Sequence, residues 1–192
     1  MSLDLATNLG WAWHSPGMPR PVWDHRRLPG TVDDVGQRCD VLERTIHEIY
    51  LMLNASPDHE PISHIIFEKP FVGMHKRKRK DGEDDDNSMR FNPQTAACLY
   101  GLAATVEKIA FQAGILCYDA PIGSWRKHFI GKGSQFGADN PKVLVQERCN
   151  QLGWHTATFD ESDALGVLDF SLAQLPLYER PWRDNALMRG RR

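Results

Sequence analysis

Asp4 sets the strongest constraint on how this chain can fold. It interrupts an apolar opening, Leu3-Asp4-Leu5, that runs into Gly10-Trp11-Ala12-Trp13. A carboxylate carried into a central strand is costly unless something pairs with it. Glu68 repeats the pattern by ending the apolar run Ile65-Ile66-Phe67, and Asp160 and Asp163 open a helix-like segment that continues Ala164-Leu165-Gly166-Val167-Leu168. Asp160 and Asp163 are three residues apart and so share nearly one helical face, whereas Glu161 and Asp169 lie off it. Four acids at strand and helix ends can meet at one point.

Each acid also has an ordinary structural role open to it. Asp160 is placed to cap a helix with Asp163 as its capping-box partner, both favoured by the helix dipole. Glu68 is a strand-end acid that Lys69 or an arginine could pair. Only the ordered set, on one sheet and one helix, points to chemistry. Mg²⁺ takes oxygen ligands in a near-octahedral shell, and two such ions can act together on a phosphodiester. Four carboxylates would offset their charge, which makes a phosphodiester-cleaving enzyme the expectation.

The rest of the sequence supplies the scaffold. At 192 residues the chain fits one domain with a sizeable core. Residues 9–14 and 21–28 read as strands punctuated by Pro16-Gly17 and Pro29-Gly30, giving an antiparallel meander with the short first strand. Residues 32–54 carry a helical apolar face through Val35, Ile46, Ile49 and Leu53. Ile62 to Glu68 is a strand blocked by Pro70. Asn92-Pro93 starts a helix over 93–112 that Gly114 ends. That helix is apolar all round, so burial on several sides or a subunit interface is expected. Residues 114–118 form the fifth strand, 124–130 a short basic helix, Asn140-Pro141 the start of a helix to Gln151, and Asp160 to Leu175 the last helix. The order predicts an α/β fold, a mixed five-stranded sheet flanked by helices. The domain is expected over residues 1–176, with an exposed charged loop at 75–88 and a loose basic tail at 177–192.

Composition sets limits on function. The formal charge of −2 argues against a wholly basic nucleic-acid binder but leaves room for a local basic face. The four cysteines form no CxxC pair, so neither a zinc site nor a disulfide framework is expected. No apolar run is long enough for a membrane span, and the start has no signal-peptide pattern, so a cytoplasmic protein is expected. The eight histidines show no HxH or HExxH spacing, and none is assigned to metal; His155, near the final acids, is read as a surface residue.

At this point the chain resembles the RuvC family of Holliday-junction resolvases, in the RNase H-like superfamily, over roughly residues 3–175. Leu3-Asp4-Leu5-Ala6-Thr7-Asn8-Leu9-Gly10-Trp11-Ala12 is like the opening strand with its catalytic Asp and the Gly that begins the second strand. Ile66-Phe67-Glu68-Lys69-Pro70-Phe71 is like the strand-end Glu followed three residues later by an aromatic. Asp160-Glu161-Ser162-Asp163-Ala164-Leu165 is like the paired acids of the final helix. The segment Ala120 to Gly133, with Asn140-Pro141-Lys142, is similar to the basic DNA-contacting region.

The resemblance implies an RNase H-like fold and a homodimer that places two active sites on a four-way DNA junction. It implies paired symmetric nicks leaving 5′-phosphate ends, in recombination or repair. Asp4, Glu68, Asp160 and Asp163 would be the catalytic, metal-holding acids, with two Mg²⁺ ions for which Mn²⁺ can substitute. Phe71 would stack near the opened junction, and Arg126, Lys127, Lys132 and Lys142 would approach phosphates. Trp125, like Phe71, is an aromatic able to stack on exposed bases, or else a core residue. The short first strand, the charged insertion after Glu68 and the tail depart from bacterial housekeeping members, and the texture is closer to phage or prophage versions.

Three rivals are kept. A broader branched-DNA or RNA–DNA hybrid nuclease of the same superfamily would share the acids. A non-catalytic junction binder would not need them. A sugar-kinase or actin-like nucleotide binder would need Gly-rich phosphate turns, and no GxxxxGK[ST] is present.

Overall fold

The computed structural model describes residues 1–30, 34–55, 59–70, 92–131, 140–176 and 178–183, with the backbone of 75–76 and 89–90. Five strands make the main sheet: β1 (Ser2–Asp4), β2 (Asn8–Trp13), β3 (Val22–Arg27), β4 (His64–Glu68) and β7 (Leu116–Ala120). Their spatial order is β3-β2-β1-β4-β7. The first three form the expected antiparallel meander, and β1, β4 and β7 run parallel. Between β4 and β7, β5 (His75–Lys76) and β6 (Met89–Arg90) pair antiparallel as a separate two-stranded ladder. The ends of the expected charged loop are therefore paired, while residues 77–88 lie outside the described residues.

Five α-helices cover the sheet: α1 (Val35–Asn54), α2 (Pro93–Ala113), α3 (Ile122–Ile130), α4 (Pro141–Gln151) and α5 (Phe159–Leu172). Strand side chains alternate between faces, and the sequence uses the alternation unequally. Leu3, Leu9, Trp11, Trp13, Ile65 and Phe67 join the core under α1 and α2. The opposite face of β1 and β2 offers Ser2, Asp4, Gly10 and Ala12, with Ile66 on β4, and α3 to α5 pack there. Small residues let α5 come close enough for Ser2 Oγ to donate to the Ala164 carbonyl at 2.8 Å.

Local signals explain most boundaries. Asn92 accepts from Gln94 N and Thr95 N, Pro93 is the first helical residue, and Gly114 ends α2 with φ 67°. Asn140 caps α4 in the same way, accepting from Lys142 N.

Several expectations are corrected. The fifth strand starts at Leu116 rather than 114, because Gly114 is committed to the left-handed helix cap and Ile115 N bonds back to Ala110. Thr158, not Asp160, caps α5, its hydroxyl accepting from Glu161 N. α2 buries one face only, leaving Tyr100 and Phe111 exposed; the helix buried all round is α5, which is covered from Glu161 to Asp169. The expected basic helix at 124–130 begins at Ile122 and buries Trp125, Arg126 and Phe129. The tail is packed where it is described: Pro181–Arg183 form a 3-10 turn, and Trp182 is buried against Trp154. All four cysteines are free thiols, and among the described residues no helix is long and apolar enough to cross a membrane.

Candidate active site

The sheet and α5 bring Asp4, Glu68, Asp160 and Asp163 to one end of the fold. Leu3 pairs with Phe67 in parallel register, so the next residues, Asp4 and Glu68, leave adjacent strand ends separated by about the 5 Å strand spacing. Asp4 is opposite Gly10 on β2. A Cβ at residue 10 would lie 2.0 Å from the Asp160 carbonyl oxygen. Glycine at this position is what allows the first turn of α5 to rest on β2 and set Asp160 and Asp163 beside Asp4.

The acids lie within one another's electrostatic reach. Burial, followed by the charges of Glu68, Asp163 and Asp160, raises the Asp4 carboxyl well above its ordinary value. Burial and the Asp163 charge push Glu68 up to about 7, opposed by Arg126, a hydrogen bond from Trp125 and Lys142. Burial pushes Asp163 up to about 6, with Arg126 and Lys142 opposing and Asp160 adding. Carboxylates crowded away from water resist ionisation together, a condition that cations relieve.

Two of the acids are tethered by α3. The Trp125 indole N–H donates to Glu68 Oε2 at 2.9 Å. The Arg126 guanidinium reaches Asp163 Oδ2 at 3.4 Å, both groups buried. The Lys142 ammonium lies 4.0 Å from the same oxygen. Asp163 Oδ1 is buried with no hydrogen-bond partner among the described residues. Lys69, an expected partner for Glu68, instead pairs with Asp119 at 3.1 Å.

The residues therefore fit a hard divalent cation. The donors are all carboxylate oxygens, and one buried oxygen lacks a partner. Among the described residues no three of the four acids bring ligand atoms within 4.8 Å of one another. The tighter set of Asp24, His25 and Glu161 does meet that spacing, but its geometry is that of a hydrogen-bonded pair. The His25 Nδ1 and Glu161 Oε1 are 2.6 Å apart, and Glu161 Oε2 accepts from Ala157 N at 2.7 Å. Glu161 thus ties the start of α5 to β3 and turns away from the acid pocket, as its helical position requires.

The remaining expected residues are placed unevenly. Arg126 is buried and engaged with Asp163 rather than open to solvent, Lys127 is exposed, and Lys142 is half-exposed at the first turn of α4. Trp125 is fully buried, which excludes it as a platform for bases. Phe71 and Lys132 lie outside the described residues. His155 is exposed, as expected. Sequence reasoning missed the tethering by Trp125, whose partner is 57 positions away. The Trp125–Phe129 spacing on one helical face was the available signal.

A scan against family models and a search of curated proteins return no match for the chain. Solved structures do match. Thermus thermophilus RuvC aligns at 15% identity and TM-score 0.52, covering 89% of this chain and 90% of that one. The same protein in complex with a Holliday junction substrate aligns at 14% identity and TM-score 0.51, with 89% of each chain covered. The fold is that of RuvC. It is a mixed five-stranded sheet flanked by helices, and the four acids of this chain lie where its β1, β4 and α5 converge.

Proposed function

We propose that this chain is a metal-dependent, structure-selective DNA endonuclease that resolves four-way junctions by paired symmetric nicks leaving 5′-phosphate ends. The observation that carries the reading is the set of mutually repelling acids, Asp4, Glu68, Asp160 and Asp163, gathered at one end of a RuvC-like fold. A like fold bound to a Holliday junction supports branched DNA as the partner.

The four acids would hold divalent metal, Mg²⁺ with Mn²⁺ able to substitute, and two ions would match their charge. Bound metal supplies Lewis-acid stabilisation of a phosphodiester and lowers the pKa of water. The chain's own residues do the rest. Trp125 and Arg126 each hold one oxygen of a carboxylate, Glu68 and Asp163, and leave the other available. Lys127 and Lys142 extend positive charge beside the pocket toward phosphates, with Lys132 and Phe71 as further DNA contacts. Arg126, buried in an ion pair, acts as an internal counter-charge instead. A homodimer would supply the second active site that symmetric nicking needs, and the exposed Tyr100 and Phe111 on α2 favour pairing through that helix.

The decisive experiment incubates the protein with a labelled mobile four-way junction, flap and RNA–DNA hybrid in Mg²⁺, Mn²⁺ or EDTA. Metal-dependent symmetric nicks specific to the junction are expected. Equal cutting of all substrates would replace the reading with a broader nuclease, and binding without cutting in any metal would leave a junction-binding protein.

A further inference from the structure

We infer that Trp125 is a positioning residue for Glu68, holding the β4 carboxylate in register with the acids on α5 so that the pocket is set for a cation before one arrives. The inference rests on the proposed function. Trp125 has no exposed surface, yet its one polar atom finds a partner in the acid pocket: the indole N–H donates to Glu68 Oε2 at 2.9 Å. A buried tryptophan satisfied by a carboxylate fixes that carboxylate's rotation as firmly as its own packing is fixed.

The indole is locked by α5. A Cβ on Gly166 would come within 2.7 Å of Trp125 Cζ3 and 3.0 Å of Cε3, and within 3.4 Å of Phe129 Cδ1. The missing side chain at 166 is the slot into which the Trp125 ring fits. One turn further along, His128 of α3 meets Asp169 of α5 at 3.1 Å. Trp125, His128 and Phe129 therefore join α3 to the helix that carries Asp160 and Asp163, while the indole N–H reaches across to β4. Glu68 is thus held relative to α5 through one side chain.

The test measures Mn²⁺ binding by calorimetry alongside cleavage. Trp125→Phe keeps a ring in the slot and removes the N–H. It is expected to weaken Mn²⁺ binding about tenfold, with metal-free junction affinity unchanged. In a Glu68→Gln background the same change should add less than about twofold, since Trp125 acts through Glu68. Gly166→Ala, which displaces the indole without touching its chemistry, should mimic Trp125→Phe and remains informative if that variant does not fold. Unaltered Mn²⁺ affinity in folded Trp125→Phe or in Gly166→Ala, or a full extra loss in the Glu68→Gln background, would overturn the inference. Wild-type protein that binds no Mn²⁺ would overturn the proposed function itself. Wild type that binds and cuts beside unaffected variants would remove only the role of Trp125.

Discussion

Helix α5 carries two buried aspartates, Asp163 and Asp169, in opposite surroundings. Asp169 has no exposed surface and is surrounded by donors. The Trp182 N–H reaches Oδ1 at 2.7 Å, Arg180 and Arg183 pair with the carboxylate, and His128 lies at 3.1 Å. Burial works to raise its pKa, but the hydrogen bonds from His128 and Arg183 and the charge of Arg183 hold it below the ordinary carboxylate range. Asp163, almost as buried, has one oxygen without a hydrogen-bond partner among the described residues, and burial, aided by Asp160 and opposed by Arg126 and Lys142, pushes it up to about 6. Burial of a carboxylate is therefore not by itself a mark of function. A satisfied buried acid holds the fold together, here by clasping residues 180–183 onto α3 and α5. A buried acid left under-satisfied beside others of its sign is a candidate cation ligand, the role proposed above for Asp163.

Exchanging their roles by mutation gives the largest contrast. Asp163→Asn should reduce junction cutting by on the order of 10³-fold or more, while gel-shift affinity for the junction and thermal stability hold. Full cleavage by the pure variant in Mg²⁺ would place Asp163 in the same class as Asp169. Asp169→Ala should do the reverse. It strands the arginine charges beside a buried site and should cost about 3 kcal/mol in urea unfolding, with the folded fraction cutting at the normal rate.

The pH dependence of the metal-free protein sharpens the same distinction. Glu68 and Asp163, at about 7 and about 6, and Asp4, also raised, hold protons in the folded state that an unfolded chain releases near about pH 4. The folded state binds more protons across that window, so stability is greatest below it and falls as pH rises to about 7. Denaturation in EDTA should show a loss on the order of 2 kcal/mol between about pH 5 and pH 8. Glu68→Gln should flatten that slope, and Mn²⁺ should offset it. Asp169, with its depressed pKa, opposes this trend only in strong acid. A metal-free stability that climbs from about pH 5 to pH 8 would mean the four acids are not crowded.

The elements that were legible in the sequence are those fixed by neighbours in the chain. Asn92-Pro93 and Asn140-Pro141 announce α2 and α4 because caps act over three residues. The convergence of the acids was legible because Asp4 and Glu68 break apolar strand runs and Asp160 and Asp163 share one helical face. What was hidden depends on distant partners. The composition of α2 looked more buried than that of α5, yet α5 is the covered helix, since Glu161 and Asp169 find their counterparts on β3, α3 and the 3-10 turn. Trp182 in a basic tail gave no sign that it seals Asp169, and Arg126, read as a phosphate contact, is turned inward to Asp163.

Lys142 offers the finest test, because it is the basic residue beside Asp163 that remains half-exposed. Its ammonium is 4.0 Å from Asp163 Oδ2, whereas Arg183 contacts Asp169 directly. A solvated lysine at that distance contributes less than about 1 kcal/mol, so Lys142→Ala should barely change the unfolding midpoint. Its charge should instead register on DNA: the slope of log affinity against log salt should fall by about 1. A stability loss comparable to that of Asp169→Ala, with the salt slope unchanged, would make Lys142 a structural counter-ion and erase the contrast between the two ends of α5. The expected outcome leaves Arg126 as the firm partner of Asp163 among the described residues, and assigns the charge of Lys142 to DNA rather than to the fold.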